Sequence, residues 1–534
     1  MVDPLLNLIY DRWIPVSGTD NEIIRVAPWE LFDQSRCDAN VILATPRPDF
    51  QGSVIQFLIG LVQSTIPPIN EEAWVKGLQS LPSSGQVKSG FESVLSAFNL
   101  GGEGYRFMQD PACADGKKQA IDTLVIGMPG ENTLKMNSDL FLKRDTIQQI
   151  CPSCAAMTLM TLQMNGPPGG AGHRTGLRGG GPLSTVVLGK SLRETIWLNV
   201  LPEDELYLGS PGDRKSSYPD IFPWMGPLRT SEAGTKTGIS DVSQLQQFWG
   251  MGRRILLDID QTKEGTCDMC GLSTKTALTS FQTKPYGINY DESWRHVLTP
   301  YYQSGDDHFP VHVQSEGITY RHWLGLVQND PEDGREIARV VQRFRNIQAD
   351  LSGLLPPTPQ LWAFGYDLDN VKARCWYDSY MPLVRVSDRI REEYEISIAQ
   401  IVRAARYVND TLHGCVKDAL YKSERNDVSK SQKKTKNISI VKSRFWSETE
   451  PLFYSTLTGL MEKSENGESV DPVKRQWIAE ARKTALDLFD FYSQSQYVDE
   501  YRPKAITGAR KRLAMTVSPG APKIMKILSL KKEA

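Results

Sequence analysis

Two Cys-x-x-Cys pairs and one glycine-rich stretch carry the chemistry that this sequence can be read for. Cys151 and Cys154 stand in ICPSCAAM, and Cys267 and Cys270 in TCDMCGLS. A Cys-x-x-Cys turn aims two thiolates at one tetrahedral metal, and a second pair completes the four sulfur ligands of a structural zinc site. The 112 residues between Cys154 and Cys267 exceed the spacing of a compact zinc finger. They fit a clamp joining two distant segments of a larger fold. Two unrelated reduced pairs, or a redox Cys-x-x-Cys, are the alternatives. With no fifth ligand evident, the expected zinc site is closed and has no part in chemistry.

Close after the first pair runs PGGAGHRTGLRGGG, residues 168–181, with seven glycines in fourteen positions. Glycine lets a backbone approach a ligand closely and admits positive φ. Arg174 and Arg178 within it offer cationic reach to phosphate oxygens. The stretch satisfies neither G-x-x-x-x-G-K-[ST] nor G-x-G-x-x-G, so a flexible surface loop remains the alternative. Basic residues also cluster late in the chain. Lys422 to Arg444 holds eight Lys/Arg against two acids, and Arg502 to Lys532 holds nine and none. Such runs either neutralise phosphates or are solvated faces. Six scattered histidines, no G-x-S-x-G and no H-E-x-x-H leave no catalytic constellation. His308 and His312 share an i,i+4 spacing, but Pro310 between them argues against a helix.

The elements that must position these residues divide near residue 388. Before it, Pro and Gly are frequent and short strands prevail. RRILLDI (253–259) reads as a strand entering the second cysteine pair. LSTVVLG and TIWLNVL, after the glycine loop, both read as strands. Asp49 is expected to cap a buried helix over FQGSVIQFLIGLVQSTI, which Pro67 and Pro68 stop. After residue 388 apolar residues recur at three- and four-residue spacing over Ile390–Tyr421, Ile438–Met461, Val473–Tyr497 and Ala505–Val517, which predicts a four-helix bundle. The fold class expected is therefore α+β: a mixed domain over 1–387 with the zinc site, then a bundle over 388–534.

Length, 534 residues, allows two or three domains. A net charge of −2 excludes a chain that is basic throughout, so any nucleic-acid surface must be local. The N-terminus, MVDPLLNLIYDRW, lacks a basic n-region, and the apolar run Val54 to Val62 is broken by Gln56 and Gly60. A cytoplasmic protein without membrane association is expected, in which paired cysteines bind metal rather than form disulfides.

Taken together, NLIYDRWIPV (7–16), FMQD (107–110), the two cysteine pairs, GLRGGGPLSTVV (176–187) and FRNI (344–347) resemble the CasA family, the large subunit of the type I-E CRISPR surveillance complex Cascade. The resemblance implies a subunit without catalysis. Such a subunit reads the short PAM of double-stranded target DNA through the minor groove and wedges the strands apart to begin R-loop formation. It then helps to recruit a helicase–nuclease, while base pairing with the guide RNA reads the rest. By resemblance the minor-groove loop falls on Pro168, Gly169, Gly170 and Ala171, with Pro and Ala where glycines are usual. A minor-groove lysine falls on Lys284 in SFQTKPYG as the best match, although strict spacing puts Pro285 at that position. The wedge falls on Asp369, Asn370 and Val371, with Asn370 in place of a usual glutamine. Asn132 lies in the loop that resembles the one meeting the guide RNA 5′ end and neighbouring Cascade subunits. A zinc-containing nuclease or nucleotide-processing enzyme is the alternative from a different class.

Overall fold

The computed structural model describes residues 6–137, 144–170, 172–207, 217–348, 351, 353–356, 358–369, 372–421, 438–493 and 503–531. These form two compact units, Met1–Ser315 with Ala338–Tyr380, and Glu316–Ile337 with Met381–Ala534.

The first unit is mixed α+β. It begins with a small antiparallel sheet of β1 (Ile14–Ser17), β2 (Ile23–Val26) and β3 (Ile42–Leu43), in the order β2-β1-β3. Helix α1 (Pro48–Thr65) follows and is buried over most of its length. Its apolar face meets aromatic rings from across the unit: Phe57 stands edge-on to Trp13 at 5.4 Å, Phe98 at 5.8 Å and Trp249 at 5.8 Å. Such pairs add about 0.5–1.5 kcal/mol each beyond area burial. Asp49 is not the cap of this helix. Arg47 occupies the N-cap with Pro48 at N1, and the buried Asp49 carboxylate accepts from Arg47 at 2.9 Å twice and from the Tyr366 hydroxyl at 2.6 Å. A buried carboxylate needs such partners, and they outrank a capping role.

Eight further strands and one helix build the region of interest. Strand β4 (Lys117–Ala120) leads to helix α2 (Pro152–Asn165), and strand β5 (Ser184–Leu188) follows the glycine loop. Strand β6 (Arg254–Leu257) precedes a two-stranded ribbon of β7 (Lys263–Thr266) and β8 (Ser273–Ala277), and β9 (Ser280–Lys284) pairs antiparallel with both β4 and β6. Finally β10 (Gln360–Asp369) and β11 (Lys372–Pro382) run as a hairpin, with β10 antiparallel to β5 from Gln360↔Leu188 to Phe364↔Ser184. TIWLNVL is helical over Leu192–Leu198 rather than a strand. The Ser191 side chain accepts from the Glu194 amide at this N-terminus, a capping signal that outweighs the β-branched composition.

The second unit is helical: α3 (Asp388–Tyr421), α4 (Ser439–Glu465), α5 (Asp471–Ser493), α6 (Pro503–Thr516) and a short α7 (Pro522–Leu528) that the periodicity did not reveal. The long α3 runs through the middle and touches all the others. Residues 316–337 belong to this unit because Tyr320 stacks on Phe453 at 4.4 Å, with its hydroxyl 2.7 Å from Thr449 Oγ1. Asp330, likewise buried, receives Arg403 at 2.6 Å. No described helix is long and apolar enough to cross a membrane.

Candidate metal centre and nucleic-acid interface

The cysteine cluster is assembled at the N-terminus of α2. Cys151 is the N-cap, and its sulfur accepts from the Cys154 amide at 3.5 Å, with Pro152 at N1. The second pair occupies the tip of the β7–β8 ribbon just beyond the Thr266↔Ser273 register pair. There Cys267 N–H donates to Leu272 O at 2.8 Å and Gly271 N–H to Cys267 O at 2.9 Å, with Gly271 at φ +72°. Two features join the pairs. Ile150 and Leu278 exchange backbone hydrogen bonds of 3.0 and 2.9 Å. The Asp268 carboxylate accepts from the Gln148 and Gln149 amides at 2.7 and 2.9 Å.

All four Sγ atoms lie within 4.8 Å of one another, and Cys151 Sγ and Cys270 Sγ are 3.7 Å apart. A tetrahedral site with metal–sulfur bonds of about 2.3 Å has sulfurs roughly 3.8 Å apart. All four are free thiols; three are buried and Cys270 is half-buried. The shared hydrogen bonds polarise the set. Those from Cys151, Cys267 and Cys270 hold the Cys154 thiol well above its ordinary range, while hydrogen bonds with Cys151, Cys154 and Cys267 hold Cys270 well below it. A bound cation would replace those protons and satisfy all four sulfurs together. Arg25 Nη2 adds an outer hydrogen bond to Cys270 Sγ at 3.5 Å. The cluster can hold a metal ion, and among the described residues it is the one Cys/His/Asp/Glu group gathered closely enough to do so.

The other end of α2 opens into the glycine loop. At Gly166 a Cβ would stand 2.6 Å from Leu162 O, so only glycine leaves the helix this way. Pro168, Gly169 and Gly170 are exposed. Gly169 N–H donates to His173 O at 3.1 Å and His173 N–H to Gly170 O at 2.8 Å, with Gly170 at φ +67°. Ala171 lies outside the described residues.

Three segments meet this loop. Arg253 Nη2 donates to Pro167 O, and its guanidinium fills the space a Cβ at Gly169 would need. Burial pushes Arg253 down to about 10. From a second side, Tyr286 N–H donates to Gly172 O at 2.8 Å, and its ring lies against the Gly172 Cα. Tyr286 is 38% exposed and sits at φ +63°, a rare conformation for a residue with a Cβ. Two positions earlier, Lys284 ends β9 in register with Arg254, its Nζ 2.6 Å from Asp115 Oδ1. From the third side comes the hairpin. Side chains at Gly180 and Gly181 would collide with Leu368 and with Tyr366 O, so the C-terminal end of β10 rests on the loop backbone. Asp369 is exposed beside Arg374 at 3.3 Å, while Asn370 and Val371 lie outside the described residues. Asn132 falls in a short helix, Glu131–Lys135, and its side chain is also outside them.

Arg178 departs from the sequence reading. It is 4% exposed and turned inward, donating to Ser184 Oγ, Thr299 Oγ1 and Gln56 Oε1 at 2.9, 3.0 and 2.7 Å. It ties the loop to α1 and β5 and reaches no outside phosphate. Arg174 is half-buried and donates to Ser231 Oγ at 3.0 Å. The late basic runs are partly covered: Lys442, Arg444, Arg510 and Arg512 pair with Asp410, Glu448, Asp490 and Asp418, and residues 422–437 and 502 lie outside the described set. His308 lies in a strand and His312 is packed against Gly179, so their spacing has no helical meaning. Arg253, Tyr286 and Asp115 carry no signal in the sequence. Only the fold shows that they surround the loop and Lys284.

The chain superposes over its length on several solved structures. A crystal structure of CasA from Thermus thermophilus has a TM-score of 0.70 at 15% identity, covering 95% of this chain and 99% of that one. Thermobifida fusca Cse1 gives 0.68 at 15%, covering 99% of each chain. A chain of a structure described as a CRISPR RNA-guided surveillance complex gives 0.67 at 16%, covering 96% and 99%. These likenesses establish a shared fold. The family model of CRISPR-associated protein Cse1 matches residues 7–488, nearly the whole sequence, and the chain therefore belongs to the Cse1 family.

Proposed function

We propose that this chain is the non-catalytic subunit of an RNA-guided Cascade complex that reads the PAM in double-stranded DNA and begins strand separation. The observation that carries this reading is the convergence of the exposed 168–170 backbone, the Lys284–Tyr286 segment and the C-terminal end of β10. A minor groove is only about 6 Å wide. A loop without side chains fits it, and a neighbouring ammonium complements its acceptors. In this reading Pro168, Gly169, Gly170 and Ala171 approach the base edges and Lys284 enters beside them. Asp369, Asn370 and Val371 at the hairpin end act as the wedge, whose unstacking work is a few kcal/mol per step.

The four cysteines hold one structural zinc ion, which fixes the N-terminus of α2 and takes no part in a reaction. Asn132 lies in the segment that meets the guide RNA 5′ end and neighbouring subunits. The helical unit provides further partner contacts, and the assembled complex recruits a helicase–nuclease in the cytoplasm. The test is equilibrium binding of the assembled complex to duplexes with and without the flanking motif. Lys284→Ala is expected to weaken binding to the flank-bearing duplex by roughly tenfold; wild-type binding, with assembly intact, removes this assignment. Metal-dependent DNA cleavage by the isolated chain would contradict the non-catalytic role.

A further inference from the structure

The ion pair on Lys284 has a built foundation. Its partner Asp115 sits in the turn after FMQD, and that turn is anchored from below. Asp110 N–H donates to Ile255 O at 2.8 Å, and Arg254 Nε donates to Asp110 Oδ2 at 2.7 Å inside the protein. One residue beyond Asp115, a Cβ at Gly116 would stand 2.7 Å from Thr283 O, so the turn lies flat on the end of β9. The register Lys117↔Thr283 fixes its exit. Asp115 is thereby delivered to Lys284 Nζ while its own side chain stays 82% exposed; that of Lys284 is 28% exposed. The lysine holds the Asp115 carboxyl below its ordinary range.

We propose that Asp115 is a specificity-determining residue: a resident carboxylate that Lys284 must leave before it can engage DNA. The proposal rests on the reading that Lys284 meets the duplex. A carboxylate at 2.6 Å competes with any phosphate or base acceptor for the same ammonium. A groove that admits the glycine loop offers Lys284 several acceptors and wins. A duplex that holds the loop off leaves Lys284 with Asp115, and so gains nothing from its charge. The FMQD motif then has a role in recognition, as the anchor of this turn, although none of its residues reaches the surface of the loop.

The experiment is a double-mutant cycle in the assembled complex, using wild type, Asp115→Asn, Lys284→Ala and the double variant. Each is titrated at fixed salt with a flank-bearing duplex and with the same duplex carrying a scrambled flank. Asp115 is exposed and Asn has its shape, so folding is not at stake. Asp115→Asn is expected to tighten flank-bearing DNA about three- to fivefold, the upper range for an exposed pair, and scrambled DNA at least as much. In the Lys284→Ala background the same change is expected to have almost no effect. An Asp115→Asn effect of equal size in both backgrounds assigns it to general charge and overturns the proposal. If Lys284→Ala weakens binding while Asp115→Asn changes nothing, this proposal fails and the assignment of Lys284 stands. If Lys284→Ala binds as wild type, the assignment itself fails and takes the proposal with it.

Discussion

At its N-terminus α2 is held by four sulfurs drawn together from two segments, with an amide–carboxylate clamp and a strand bridge around them. At its C-terminus, about 21 Å away at 1.5 Å per residue, it opens into exposed backbone gripped by Arg253, Tyr286 and the C-terminal end of β10. One end uses side chains and has almost no freedom. The other has given up side chains so that its backbone can meet something else. The difference assigns the two motifs to different work, although fourteen residues join them. The sulfur end is a brace whose loss should unfold structure. In the proposed function the glycine end is a recognition surface, whose alteration should change binding and leave the fold intact.

The largest expected effect falls on the brace. Cys267→Ser is expected to remove about one zinc per chain and to destabilise the protein by more than about 4 kcal/mol, as loss of a structural metal does. Elemental analysis and denaturant unfolding check this, and a metal-free protein of unchanged stability breaks the comparison. Gln56→Leu comes next. It strips the Arg178 guanidinium of its Nη2 partner inside the protein and should cost roughly 1–3 kcal/mol, the penalty for an unsatisfied buried donor, read by unfolding.

At the recognition end the sign of the contrast reverses. Gly170→Ala meets no neighbouring atom and carries only the strain of a left-handed backbone at φ +67°. It should cost about 1–2 kcal/mol, while weakening duplex binding several-fold. A large stability loss without a binding change would show the loop to be structural. The smallest effect is expected in the helical unit. Arg512→Gln breaks an exposed pair with Asp418 and should cost under about 1 kcal/mol, measurable as a slight shift of the denaturation midpoint.

How legible this was depended on whether the signal was local. The cysteine pairs announce themselves by spacing, and the long helices of the second unit by periodicity, so both were readable. The Leu192–Leu198 helix was not, because its β-branched run masks the Ser191 cap. Asp49 has the sequence position of a cap, but its partners are Arg47 and Tyr366, and only the first is near it in sequence. Arg178 looked like a phosphate ligand because its acceptors, Gln56 and Thr299, are more than a hundred residues away. Tyr286 gave no signal at all: its positive φ follows from how it meets Gly172, which only the fold brings beside it.

The central claim, that the exposed backbone at the glycine end of α2 lies on the duplex beside the guide-paired region, is tested most directly by crosslinking. A photoreactive amino acid at position 168, in the complex assembled with guide RNA and bound to target duplex, is expected to crosslink to the base pairs of the flanking motif and nowhere else on the DNA. Crosslinks only to neighbouring subunits, or spread evenly along the duplex, would contradict it.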